Sequence, residues 1–154
     1  MRDSLGFTLL EIIIVFAVIA ILSAIGIVSF VSYSRVQSLQ TSASTLSSTL
    51  SLARSRAISQ AKPTQCGTQI LNGYKVLLNT ASNSYELDAI CSNFSYVIQT
   101  QKLPANISFD VLKTTSTSFY FPVIVNGVIG AGTIYLNGYG NTKAIVVDST
   151  GDIR

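Results

Sequence analysis

From Ile12 to Val31 the chain carries twenty residues without a charge, broken only by Ser23, Gly26 and Ser29. At about 1.5 Å per helical residue the run is roughly 30 Å long, the thickness of a bilayer core. A secretory signal peptide has a shorter apolar segment, roughly 7–15 residues, followed by a small-residue cleavage site. This run is longer, and no A-x-A site follows it. A core helix apolar on every side is out of scale for 154 residues. Length and hydropathy fit a membrane span. Arg2 and the initiator amine precede the span and Arg35 follows it, a slight preference for the N-terminus inside. One acid, Glu11, stands at the mouth of the run. A charged side chain costs roughly 2.5–3.5 kcal/mol at the centre of an inserted helix, so an acid retained there implies a use.

Helical periodicity continues beyond the span. Val36, Leu39, Ala43, Leu46, Leu50, Ala53 and Ala57 recur at spacings of three and four, with Ser, Thr, Gln and Arg between them. This is one narrow apolar stripe on a polar helix, suited to a coiled-coil seam or to lying on a sheet. Neither Gly nor Pro interrupts residues 27–62, and Pro63 biases Lys62 away from helical geometry. A single helix from about Phe7 to Ala61 is expected. The second half supplies strands: 73–79, 84–91, 95–100, 107–112, 117–126, 132–137 and 143–148 are rich in β-branched and aromatic residues. The turn signals NTASNS, LPAN, NGVIGAG, NGYGN and DSTGD separate them, and such short spacings favour antiparallel hairpins. The expected class is α+β: a long N-terminal helix, transmembrane then amphipathic, packed on an antiparallel sheet domain. Its divisions are residues 1–6, 7–33, 34–61 and 62–154.

Catalytic chemistry has little to work with. There is no histidine, the commonest general base and metal ligand. Cys66 and Cys91 lie too far apart in sequence for the close pairing of a zinc site, and no G-x-S-x-G occurs. No metal, cofactor or enzymatic activity is expected. Asp148, Ser149 and Asp152 read as a β-turn with Asp at its first position. Beyond the span the chain is rich in Ser and Thr and poor in charge, as a domain outside the cytoplasm is. An even cysteine count in an oxidising compartment points to a Cys66–Cys91 disulfide, with two buried thiols as the alternative.

Gly6-Phe7-Thr8-Leu9-Leu10-Glu11, followed by the apolar run, resembles the N-terminal signature of type IV pilins and type II secretion pseudopilins. SLARSRAISQ (51–60), Leu103-Pro104 before a strand and the ending AIVVDSTGDIR resemble its minor members, the pseudopilin H and FimT-type proteins. The resemblance implies that residues 1–6 are a leader cut by a membrane prepilin peptidase at Gly6–Phe7. It also implies that Phe7 is then N-methylated. Glu11, fifth in the mature chain, would pair with the Phe7 amine of a neighbouring subunit in a helical filament. The chain would wait in the inner membrane, single-pass with its C-terminal domain outside the cytoplasm. It would then join a surface pilus or a periplasmic pseudopilus. An assembly platform with its own ATPase would drive this step, since the chain has no nucleotide-binding loop.

A second function is implied by the FimT-type likeness. Members of that kind act as DNA receptors in natural transformation, using basic residues near a C-terminal Gly-Arg-x-Arg. Here the ending reads Gly151-Asp152-Ile153-Arg154, with Asp152 in the place of the first Arg. Beyond the span nine basic residues face five acidic ones, so a basic ectodomain can meet phosphates, with Lys143 and Arg154 as the candidate contacts.

Overall fold

The computed structural model describes residues 8–125 and 127–154, the side chains at 24–26, 28 and 29 apart. Helix α1 runs Leu9–Ile58, and the chain divides into two units after Arg35.

In the first unit every described side chain of α1 is exposed. Ile12, Ile13, Ile14, Val15 and Phe16, five consecutive residues that sample every side of a helix, are all exposed. Leu9, Leu10, Val18, Ile19, Ile21, Leu22 and Phe30 are exposed as well. Among the described residues no helix is long and apolar enough to cross a membrane. The described side chains run unbroken only to Ser23, part-way through the charge-free stretch that the sequence continues to Val31.

In the second unit the stripe meets its cover. Leu39, Ala43, Leu46, Leu50, Ala53 and Ala57 are buried, whereas Val36 stays 48% exposed. Ser42 and Thr49 are buried on the same face. Their hydroxyls donate to the carbonyls of Ser38 (2.9 Å) and Thr45 (3.0 Å), which satisfies them without leaving the helix. The expected stop at Pro63 is corrected: α1 ends at Ile58. Gln60 takes a left-handed φ of 51°. The Gln60 N–H donates to the Ala57 carbonyl at 3.1 Å and the Ala61 N–H to that of Arg56 at 3.0 Å. This pair is a Schellman cap, closed on Gln instead of the usual Gly.

After a 3₁₀ turn at Thr64–Cys66 come seven strands: β1 (Leu71–Asn79), β2 (Ser84–Cys91), β3 (Phe94–Lys102), β4 (Ile107–Phe109), β5 (Ser118–Pro122), β6 (Gly132–Gly138) and β7 (Asn141–Val147). The single sheet expected from sequence is two. One has order β3-β2-β1-β5 and the other β4-β6-β7, with every pairing antiparallel. Tyr74, Val76, Leu78, Tyr85, Leu87, Phe119 and Phe121 from the first sheet share one core with Ile107, Phe109, Ile134, Leu136, Ile145 and Val147 from the second and with the α1 stripe. Gly138 lies under the helix, where an added Cβ would sit 3.5 Å from Leu39.

Two expected strands are cut short for local reasons. The 107–112 segment stops at Phe109 because the Asp110 carboxylate accepts the N–H groups of Leu112 (3.2 Å) and Lys113 (3.3 Å) and turns the chain. The 117–126 segment stops at Pro122, which has no N–H to extend a ladder.

Candidate functional site

The motif-bearing end of α1 has a defined start. Thr8 is the N-cap: its carbonyl accepts the N–H groups of Glu11 (3.1 Å) and Ile12 (3.3 Å), and its hydroxyl accepts that of Glu11 at 3.3 Å. The sequence T-x-x-E before an apolar run is a capping-box signature, so Thr8 was legible as a positioning residue although it is absent from the motif's expected actors. Its effect is to place Glu11 in the first helical turn. There the positive end of the helix dipole favours a carboxylate by about 0.3–1 kcal/mol. Glu11 is exposed, and among the described residues no cation pairs with it. Gly6 and Phe7, the expected cleavage and methylation positions, and the leader itself lie outside the described residues.

Cys66 and Cys91 form a disulfide, Cα atoms 5.6 Å apart, that ties the 3₁₀ turn to the end of β2. Lys143 is exposed on β7. Arg154 is held beside the same strand. Its N–H and carbonyl pair with Val146 at 2.9 and 2.8 Å, and its guanidinium binds the Asp148 carboxylate at 3.1 Å. Asp148 also accepts the Thr150 hydroxyl (2.5 Å) and the N–H groups of Thr150 (2.9 Å) and Asp152 (3.0 Å). The Thr150 hydroxyl first, then these N–H groups and Arg154, hold the Asp148 carboxyl below the ordinary carboxylate range. Asp152, standing where the resemblance has an Arg, takes the Arg54 guanidinium at 2.7 Å. That link joins residues 98 apart, and no local pattern announces it. The C-terminal acids thus fasten the last residues to β7 and α1. Among the described residues no group of acids, cysteines or histidines is arranged for a metal.

The prokaryotic N-terminal methylation motif matches residues 1–27. No curated protein matches in sequence. Among solved structures the chain is similar to the minor pseudopilin EpsH from the Type 2 Secretion System of Vibrio cholerae, with a TM-score of 0.57 and 13% identity over 75% of this chain and 94% of that one. At that identity the likeness speaks to the fold: a capped N-terminal helix on antiparallel sheets. The chain thus carries a prokaryotic N-terminal methylation motif ahead of a fold similar to that of a minor pseudopilin.

Proposed function

We propose that the chain is made as a precursor, cut between Gly6 and Phe7 by a prepilin peptidase and N-methylated on Phe7. It then inserts as a minor subunit into a type IV pilus or type II secretion pseudopilus. The observation that carries this reading is an exposed, all-round apolar helix opening on a capped turn that carries Glu11. A helix apolar on every side needs cover on every side. Lipid supplies it before assembly, with residues 7–33 as a single inner-membrane span and the sheet domain outside the cytoplasm. Neighbouring copies supply it in the filament. Exchanging lipid for helix contact yields little hydrophobic drive, so specificity falls to Glu11 and the Phe7 amine of the adjacent subunit. Nothing in the geometry favours the DNA-receptor alternative.

Mass spectrometry of the natively produced protein tests the processing: a mature chain starting at methylated Phe7 is expected, and an intact Met1 overturns it. For the pairing, Glu11→Gln is expected to leave cleavage and membrane insertion intact and to cut recovery in sheared filaments by about tenfold, a difference of about 1.4 kcal/mol. Unchanged recovery refutes the pairing and leaves the fold assignment standing.

A further inference from the structure

We propose that the groove beside the last turn of α1 is a docking site for an acidic peptide segment of a partner protein. The groove, about 360 Å³, is lined by Arg56 and Lys62 together with Pro63, Thr64, Tyr74 and Ile98. No carboxylate lines it. Among the described residues neither cation makes an ion pair, while Arg54, Lys75, Lys113 and Arg154 each do.

A helix C-terminus ordinarily repels an anion through its open carbonyls. Here the nearest ones are occupied. The Arg56 and Ala57 carbonyls accept the two Schellman N–H groups, and that of Ala61 accepts the Tyr74 hydroxyl. Lys62 is exposed and Arg56 half-buried, so in the free protein the two like charges are left to water. The segment that carries Lys62 is also pre-shaped. The Schellman cap holds it at one end, Tyr74 in the middle, and the Cys66–Cys91 bridge at the other. Little ordering cost remains to be met on binding.

The groove's form selects the ligand. Pro63 and Ile98, both partly exposed, give it an apolar wall beside the two cations. That combination suits a glutamate-like side chain, with an aliphatic stem on the wall and a carboxylate head between Arg56 and Lys62. A phosphate backbone would use the two cations but leave the apolar wall without a partner.

The test is a nitrogen-15 amide titration of the full chain in non-ionic detergent micelles, using the capped peptide Leu-Glu-Glu-Leu and, in parallel, Leu-Gln-Gln-Leu. Saturable shifts confined to residues 56–65 and 98 are expected with the acidic peptide, with affinity falling as salt rises. The glutamine peptide is expected to bind at least about fivefold more weakly, and Arg56→Ala/Lys62→Ala to lose about tenfold. Lys62 is exposed, so Lys62→Ala alone reads the loss without risk to the fold. Equal binding of the two peptides, undiminished binding by the variants, or shifts spread elsewhere overturns the proposal. So does a short DNA duplex that moves the same residues more tightly than the peptide.

Discussion

Leu50 and Val36 belong to one sequence stripe, yet the structure gives them different surroundings. Leu50 is 0% exposed and Val36 48% exposed. Leu50→Ala removes three buried carbons, about 2.4 kcal/mol at roughly 0.8 per methylene. The cavity left behind brings the total to about 3 kcal/mol, inside the 2–5 range for such truncations, and helix propensity changes little between Leu and Ala. Val36→Ala removes two carbons that are only half covered, about 0.8 kcal/mol. Replacing a β-branched residue with Ala in a helix returns roughly 0.5 kcal/mol, so the net effect is close to zero. The assay is thermal unfolding of the full chain in non-ionic detergent, followed by far-ultraviolet circular dichroism. For the unit after Arg35, roughly 120 residues, Leu50→Ala is expected to lower the thermal midpoint by about 10–15 °C and Val36→Ala by less than about 2 °C. Similar losses at both positions would refute the argument, because cover would then extend N-terminal of Leu39.

Asp148 tests the C-terminal fastening through pH. Its carboxyl is held below the ordinary range by the Thr150 hydroxyl, the Asp152 and Thr150 N–H groups and Arg154. A depressed carboxylate contributes its stabilisation in full above the unfolded value, near 3.9, and loses it as pH falls through the lower folded value. Nuclear magnetic resonance titration of the side chain should therefore give a midpoint below the ordinary one, and the Arg154–Val146 amide pairing should loosen only in that acid window. A midpoint at or above the ordinary value would contradict the geometry. The Cys66–Cys91 bridge spans 25 residues. Chain-entropy reasoning gives about 3–4 kcal/mol for its removal, measured as the drop in urea stability of Cys66→Ser/Cys91→Ser; a loss under about 1 kcal/mol would show that the bridge only decorates a loop already held by Tyr74.

The amphipathic half of α1 was legible because burial against a sheet imposes a period that sequence retains: six of seven stripe positions are buried. Val36 kept the period without the burial, since periodicity reports the face and not where the cover begins. Strand locations were legible for the same reason. The split into two sheets was not, because each strand shows only which of its faces is apolar. Which strands share a ladder depends on the path through Leu103-Pro104 and the returns at β5 and β6. The helix stop was misplaced because the cap is a left-handed Gln60, a conformation usually signalled by Gly or Asn. The Thr8 cap carries a local signature, whereas the Arg54–Asp152 link joins distant segments and carries none.

Glu11 brings these levels together through magnitudes. Position in the first turn gives the carboxylate about 0.3–1 kcal/mol from the helix dipole. Placement near an inserted apolar helix costs up to roughly 2.5–3.5 kcal/mol. The cap alone therefore leaves the acid at a deficit whenever the helix is in lipid, and one remaining hydrogen-bonded cation is of the size that closes it. On the proposed processing such a cation is absent from the site until cleavage frees the Phe7 amine. In the stacking proposed for the filament, the amine that meets Glu11 belongs to the next subunit. A deficit too small to expel the lone helix from the bilayer is still enough to favour one axial register over its neighbours. Removing the charge while keeping the shape, as Glu11→Gln does, should then erase the choice of register without weakening the anchor.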